Sequence, residues 1–158
     1  MPTNPETPGI TLSVVVPALN EERVIGRCLE CLVAQDFPAE RMEVLVVDNG
    51  SRDRTREIAH GFSARLNLRV LEAKNVRIGA LRNLGARCAH GEYVAFLDAD
   101  CLPPTNWLSQ AAAVFPQQPS AVIGAAYDIP EDSTWVARSW YGHQKSKQGD
   151  VSYIPGGD

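Results

Sequence analysis

The chain holds 158 residues, is 44% hydrophobic and carries a formal net charge of −4, which suits one domain with a hydrophobic core, since domains typically run to about 100–150 residues. The acidic balance gives no basic field for nucleic acid, and no apolar run approaches the roughly 20 residues that a membrane helix needs. Residues 1–10 lack the features of a signal peptide and predict a flexible lead-in, so we expect a cytoplasmic protein whose domain occupies residues 11–158.

Short apolar runs alternate with segments of helical periodicity. Residues 12–16 predict a first strand, and apolar residues within 24–33 recur every three or four positions, as on one buried helix face. Ser51 is a candidate N-cap for the second helix. The alternation predicts an α/β fold with a doubly wound, mostly parallel sheet and helices on both faces. Further strands are predicted at 44–47, 68–71 and 93–97, further helices through 58–62, 81–88 and 104–112, and another apolar run follows at 121–126.

Polar residues gather where three predicted strands end. The first strand leads into residues 17–22, the second into 48–51, and the fourth into Asp98 and Asp100. Each segment alone has a local explanation, because Asn20 can cap a helix and the other two can form turns. Parallel sheets bind ligands at the carboxyl ends of their strands, so the three segments together predict a ligand site.

Asp98 and Asp100 place two hard oxygen ligands one residue apart after an apolar strand. Such a pair suits Mg²⁺ or Mn²⁺, which proteins usually hold with one or two carboxylates and the phosphates of a substrate. The alternative is that both side chains only cap the turn before the helix near Trp107. We predict a divalent cation and a diphosphate here, with Asp48 accepting hydrogen bonds from a base or ribose.

Positive charge lies beside this edge in Arg77, Arg82 and Arg87. At least one of these arginines is expected to face phosphates or to pair with a strand-end carboxylate, whereas Arg87 is expected to face solvent. Gly79 would let the backbone approach a ligand closely, or would serve only as a helix-entry residue.

The four cysteines do not predict a redox or zinc site. Cys28 and Cys31 form a CxxC in the middle of a predicted helix, not at its start. Cys88 and Cys101 are too widely separated to supply the second pair of a usual zinc site. We expect four reduced, packed cysteines in a reducing compartment.

Three segments in this order resemble the nucleotide-sugar-binding half of a family 2 glycosyltransferase with the GT-A fold: PALNEE, VVDNGSRDRT and NVRIGALRNLGARCAHGEYVAFLDADC. The resemblance covers roughly residues 12–107. It implies a Rossmann-like GT-A sheet and metal-dependent, inverting transfer of a sugar from a UDP- or GDP-linked donor to the hydroxyl of an unidentified glycan, lipid or other acceptor. Such an enzyme would work in the cytoplasm or at the inner face of the membrane.

The resemblance also implies roles for single residues. Pro17, Ala18 and Glu22 would line the nucleotide pocket, Asp48 would contact the base, and Asp100 would bind the metal. Three positions depart from the family pattern without undermining donor binding: Asn49 replaces a second aspartate, Leu81 an alanine and Cys101 an acid. The full predicted donor site is Pro17, Ala18, Asn20, Glu22, Asp48, Asn49, Arg77, Gly79, Arg82, Asp98, Ala99 and Asp100, with Asp98 and Asp100 as metal ligands.

Inverting members of the family use a general-base carboxylate well downstream of the Asp-x-Asp. Residues 153–158 resemble the strand and loop before that segment, so we expect the domain to be truncated and the base to lie outside this chain. The alternative function is a module that binds a nucleotide sugar without transferring it. None of the carboxylates near the end matches the base motif: Asp128, Glu131, Asp132, Asp150 and Asp158.

Other nucleotide enzymes lack support. A dehydrogenase would carry Gly-x-Gly-x-x-Gly after the first strand, and a sugar nucleotidyltransferase would carry a glycine-rich basic loop there. A phosphoacceptor domain would need both its acid pair after the first strand and a late lysine. Trp135, Trp140 and Tyr141 would form either an acceptor platform or an apolar patch that favours self-association.

Overall fold

The predicted apolar runs form the strands of one sheet. The computed structural model describes residues 11–117; the predicted lead-in, the run at 121–126 and the aromatic and acidic residues nearer the end lie outside them. The strands are β1 (Leu12–Ala18), β2 (Met42–Asp48), β3 (Leu68–Glu72) and β4 (Tyr93–Phe96). The helices are α1 (Ile25–Val33), α2 (Thr55–Gly61), α3 (Ile78–Cys88) and α4 (Trp107–Val114), with 3-10 turns at Ala39–Arg41 and Phe115–Gln117.

All pairings in the sheet are parallel, and the strand order is β3-β2-β1-β4. The chain therefore builds outward from β1 in one direction through β2 and β3, and then crosses back to place β4 on the other side of β1. This reversal creates a crevice between the carboxyl ends of β1 and β4, where doubly wound sheets bind ligands. The predicted doubly wound α/β fold is confirmed.

Alternate residues of each buried strand pack against different helices, because successive side chains point to opposite faces. Val14 and Val16 belong to a large cluster that includes Leu29 and Leu32 of α1. Val15 belongs to a second cluster on the other face, with Leu81 of α3. The predicted helix layers on both faces are thus present. Among residues 11–117, no helix combines the length and apolar character needed to cross a bilayer.

The predicted helix cap at Ser51 is wrong, and so is the alternative that Asn20 only caps a helix. Helix α1 begins at Ile25 and α2 at Thr55, and neither has a side-chain cap, so Asn20 and Ser51 cap nothing. The two side chains instead join the loops that follow β1 and β2. The Asn20 backbone N–H donates to Ser51 Oγ (2.9 Å), and Asn20 Oδ1 accepts from the backbone N–H of Arg52 (2.9 Å).

A buried polar network fastens the amino end of the sheet. Glu43 of β2 is 2% exposed; its Oε1 accepts from Ser13 Oγ (2.6 Å) and its Oε2 from Arg69 Nη2 (3.0 Å). Burial raises the pKa of Glu43, but hydrogen bonds from Ser13, the His90 backbone and Arg69 outweigh it and leave the pKa below its ordinary value. The sequence did not single out this carboxylate.

Glycine at position 91 belongs to the same network. The Gly91 backbone N–H donates to Ser13 Oγ (2.8 Å). A Cβ at this position would lie 2.7 Å from Ser13 N, closer than real Cβ atoms approach. The entry to β4 is therefore packed directly against β1.

Candidate functional site

The predicted site residues that follow β1, β2 and β4 come together at the carboxyl edge of the sheet. Pro17 and Ala18 are buried at the end of β1, and Ala18 pairs in register with Asp48, the last residue of β2. Asp98 and Asp100 follow β4, which pairs with the other side of β1. The three strand ends thus converge as the spacing of the motifs predicts.

Asp48 is fully buried, and only one of its two oxygens is satisfied. Its Oδ2 accepts hydrogen bonds from the backbone N–H groups of Gly50 and Ser51, each at 3.0 Å, and lies 3.7 Å from Arg56 Nε. Its Oδ1 is buried and has no hydrogen-bond partner among the described residues. A buried acceptor without a donor costs about 1–3 kcal/mol, so the arrangement suits a ligand that brings a donor.

Arg56 was not predicted as a site residue. It lies in the first turn of α2, and its Nη1 also pairs with Glu72 Oε1 at 3.1 Å, so it bridges the ends of β2 and β3. A cation in the first turn opposes the helix dipole. This unfavourable placement was the one sequence signal that Arg56 has carboxylate partners.

Arg82 of α3 pairs with Asp98. Arg82 Nη2 donates to Asp98 Oδ1 at 2.8 Å, and the two side chains are 28% and 30% exposed. Arg82 is therefore the predicted arginine that pairs with a strand-end carboxylate. Its Nε is buried and, within residues 11–117, has no partner. The site thus presents one unsatisfied acceptor, Asp48 Oδ1, and one unsatisfied donor, Arg82 Nε.

Asp98 and Asp100, the predicted metal ligands, have different surroundings at this edge. Arg82 occupies Asp98 Oδ1, while Asp100 is exposed. Burial, followed by the charges of Asp100 and Asp53, raises the pKa of Glu21. Residues 11–117 contain no group of three or more His, Cys, Asp or Glu side chains that could hold a metal ion alone.

The cysteines near this edge are packed groups. Cys28 is buried, its Sγ lies 3.8 Å from the Asp98 carbonyl oxygen, and all four cysteines are free, as predicted. Burial, followed by the neighbouring Cys101 and Cys31, raises the pKa of Cys28 to about 12. A thiol with this pKa is protonated at neutral pH and is a poor nucleophile.

Glu22, predicted to line the nucleotide pocket, is used to join loops. Its Oε2 accepts from the backbone N–H of Arg54 (3.1 Å), and its own N–H donates to Asp53 Oδ2 (3.1 Å). The adjacent Glu21 N–H donates to Thr55 Oγ1 (2.8 Å). With the Asn20 contacts, these bonds join the loop after β1 to the loop after β2.

Asn49 performs the corresponding role on the other side of that loop. Its Nδ2 donates to the Val76 carbonyl (2.9 Å), and its Oδ1 accepts from the Val76 N–H (3.1 Å). Arg77 is exposed at the start of α3. Gly79 is also exposed, and a Cβ there would meet nothing within 4 Å, so packing within the described residues does not require glycine. Ala99 is buried between the two aspartates.

Comparisons with known proteins agree with this geometry. The chain is 42% identical over 120 residues to the glycosyltransferase AglE of Haloferax volcanii, which covers 75% of this chain and 37% of the relative. It is 39% identical over 113 residues to the poly(ribitol-phosphate) β-N-acetylglucosaminyltransferase TarS of Staphylococcus aureus, which covers 70% of this chain and 20% of the relative. The chain thus spans well under half the length of these relatives.

Solved structures show the same fold. A structure of Staphylococcus aureus TarS residues 1–349 with UDP-GlcNAc matches with a TM-score of 0.66 and 30% identity, over 74% of this chain and 38% of that one. The mannosyltransferase PcManGT of Pyrobaculum calidifontis, solved with GDP-Man and Mn²⁺, matches with a TM-score of 0.70 and 28% identity. The match covers 82% of this chain and 38% of that one. The family model for glycosyl transferase family 2 matches residues 13–155, and the chain belongs to that family.

Proposed function

We propose that this chain carries the donor-binding part of a glycosyltransferase that moves a sugar from a UDP- or GDP-linked donor to an acceptor hydroxyl. The observation that carries the proposal is the pair of unsatisfied buried atoms, Asp48 Oδ1 and Arg82 Nε. Asp48 is the last residue of β2, and Arg82 of α3 pairs with Asp98, which follows β4. The family membership and the nucleotide-sugar complexes of the related structures support the same assignment.

Asp48 Oδ1 suits a nucleobase that presents an N–H. An ionised carboxylate only accepts hydrogen bonds. Uracil and guanine each carry a ring N–H that could donate to this oxygen, and adenine could donate only through its exocyclic amino group. The choice of UDP or GDP is supported by the nucleotides bound in the related structures. Arg82 Nε would donate to a ribose or phosphate oxygen of the same ligand.

The reaction we propose is attack of an acceptor hydroxyl on the anomeric carbon, with inversion. The bond from that carbon to the diphosphate oxygen breaks, and the hydroxyl proton passes to a general base that we assign to none of the described residues. Asp98 and Asp100 would hold Mg²⁺ or Mn²⁺, which would neutralise charge on the departing diphosphate. Arg82 remains close to Asp98 and adds a fixed positive charge.

We also propose a cytoplasmic location. The free cysteines support it, because disulfides form and persist mainly in oxidising compartments. Association with the inner face of the membrane, self-association and the identity of the acceptor remain predictions. The predictions of an acceptor platform and of self-association depend on Trp135, Trp140 and Tyr141, which lie beyond residue 117.

Calorimetric titration of the full chain with UDP and GDP, each with and without Mn²⁺, tests the proposal. We expect binding of at least one nucleotide to depend on Mn²⁺ and to weaken at least about tenfold in Asp100→Asn, a change of roughly 1.4 kcal/mol. Asp36→Asn is the matched control, because Asp36 is also exposed but does not follow a strand of the site.

Two outcomes separate the proposed function from its alternatives. Metal-dependent binding without transfer to any hydroxyl acceptor would favour the binding module over the enzyme. Absence of binding by both nucleotides, or equal losses in Asp100→Asn and Asp36→Asn, would contradict the assigned donor site.

A further inference from the structure

Asn49 connects three parts of the sheet edge. Its backbone N–H donates to the Ala18 carbonyl at 2.9 Å, and its side-chain amide both donates to and accepts from the backbone of Val76. The residue therefore ties the ends of β1 and β2 to the segment of residues 73–77 that leads into α3. Both polar atoms of the amide are used in this connection, although each keeps one further hydrogen-bonding position.

The connecting segment depends on few other hydrogen bonds. Residues 74–77 are exposed, and the segment is attached at one end by the Ala73 N–H, which donates to the Asp48 carbonyl at 2.8 Å. Asn75 adopts φ of 56°, a left-handed conformation that asparagine tolerates better than most residues. Within the described part of the chain, Asn49 is the only side chain that hydrogen-bonds to residues 74–77.

Two positively charged side chains lie close in sequence to Val76, the residue whose backbone Asn49 binds. Lys74 and Arg77 lie two positions before and one position after Val76, and neither forms a salt bridge within residues 11–117. Asp48, which the segment contacts through Ala73, is the acceptor that we assign to the nucleobase. Positive charge on this segment therefore lies beside the site proposed for an anionic ligand.

We propose that Asn49 is a positioning residue for donor binding, which acts by fixing the Val76 peptide and thereby the backbone of Arg77; this inference rests on the proposed function. With the peptide held, the guanidinium reaches the diphosphate from a preset position, and binding does not have to order the segment first. Aspartate at position 49 would still accept from the Val76 N–H, but its second oxygen would face the Val76 carbonyl and repel it.

A double-mutant cycle tests whether Asn49 acts through Arg77. We would titrate the full chain with UDP and GDP in Mn²⁺ and follow whichever binds. Asn49→Ala should weaken binding about tenfold, the loss expected from roughly one to two hydrogen bonds, and Arg77→Ala should weaken it by at least as much. The double variant should bind no more weakly than Arg77→Ala alone, because the two residues act in series. Asn49→Asp should not restore binding.

Asn67→Ala is the matched control, since Asn67 is exposed at the other end of the sheet and offers its backbone carbonyl to Val44; binding should be unchanged. Hydrogen exchange at the Val76 amide should accelerate in Asn49→Ala and not in Asn67→Ala, which reports the connection without any nucleotide. Urea unfolding would show whether the variants remain folded.

The outcomes distinguish this inference from the proposed function. If the unsubstituted chain binds neither nucleotide, the proposed function fails and the inference fails with it. If a nucleotide binds but Arg77→Ala has no effect, or if the losses from Asn49→Ala and Arg77→Ala add, Asn49 does not act through Arg77. Unchanged exchange at Val76 in Asn49→Ala would also overturn the inference.

Discussion

Strand β2 carries one buried carboxylate near each end, and their surroundings assign them different roles. Glu43, near the amino end, has both oxygens bonded by Ser13 and Arg69. Asp48, at the carboxyl end, has one oxygen bonded and one without a partner among the described residues. A satisfied buried carboxylate contributes to folding, whereas an unsatisfied one lowers stability unless a ligand completes it.

The sequence predicted Asp48 but not Glu43, and the reason is physical. Asp48 follows a β-branched run and begins a turn, so its position at a strand end was visible locally. Glu43 lies within the strand, and its partners come from β1, β3 and the segment before β4, at separations of 26 to 47 residues. Local patterns do not show contacts of this range.

Glu43 should make stability depend on acidic pH. Its folded pKa is lowered, so its contribution is complete above the ordinary value of 4.5 and is lost as pH falls below it. We expect Glu43→Gln to lower the free energy of unfolding by about 2–3 kcal/mol at pH 7, because charged hydrogen bonds are lost. Urea unfolding of both proteins between pH 7 and 3 checks this.

The difference between the two proteins should narrow as pH falls below 4.5, because protonation of Glu43 progressively removes the same stabilisation from the unchanged chain. Glu40→Gln is the control, since Glu40 is exposed in the turn at Ala39–Arg41. A difference that stays constant over the whole pH range would show that the Glu43 carboxylate is not the titrating group.

At the scale of the elements, the loop between β2 and α2 organises the site. It bonds the loop after β1 through Ser51 and Thr55, and the segment before α3 through Asn49. This explains why neither Ser51, the candidate cap, nor Asn20, for which capping was the alternative role, caps a helix. Capping residues were recognised by their type, but the same side chains bonded to neighbouring loops, which sequence spacing alone does not bring together.

Substitution of the two glycines of α3 by alanine should affect the stability of the protein differently: Gly85→Ala should lower it and Gly79→Ala should not. A Cβ at Gly85 would overlap Val15 Cγ1, whereas a Cβ at Gly79 would meet no atom within 4 Å. We expect Gly85→Ala to destabilise the protein by about 1–3 kcal/mol through overpacking. Gly79→Ala should be neutral or stabilising by up to about 1 kcal/mol, because alanine favours helices.

Thermal or urea unfolding of the two variants provides the comparison, and each serves as the control for the other. Equal effects from both substitutions would contradict the close approach of α3 to β1. The sequence indicated α3 from Leu81, Leu84 and Cys88, but it gave no sign of how near the helix lies to the sheet.

At the scale of the whole molecule, the strand order creates the site. The alternation of strands and helices predicted a doubly wound sheet, and the polar strand ends predicted the edge where a ligand would lie. The pairing of Arg82 with Asp98 depends on the packing of α3 against the second face of the sheet, where Leu81 contacts the cluster that contains Val15. Neither contact can be read from the three short motifs alone.

The central claim is that Asp48 Oδ1 receives a base N–H from a nucleotide donor. Its most direct test is calorimetric titration of the full chain with UDP and GDP in Mn²⁺, repeated on Asp48→Asn. We predict that UDP or GDP binds and that Asp48→Asn weakens this binding at least about tenfold, since one charged hydrogen bond contributes roughly 1.5–3 kcal/mol. Absence of binding by both nucleotides, or unchanged binding in Asp48→Asn, would contradict the account.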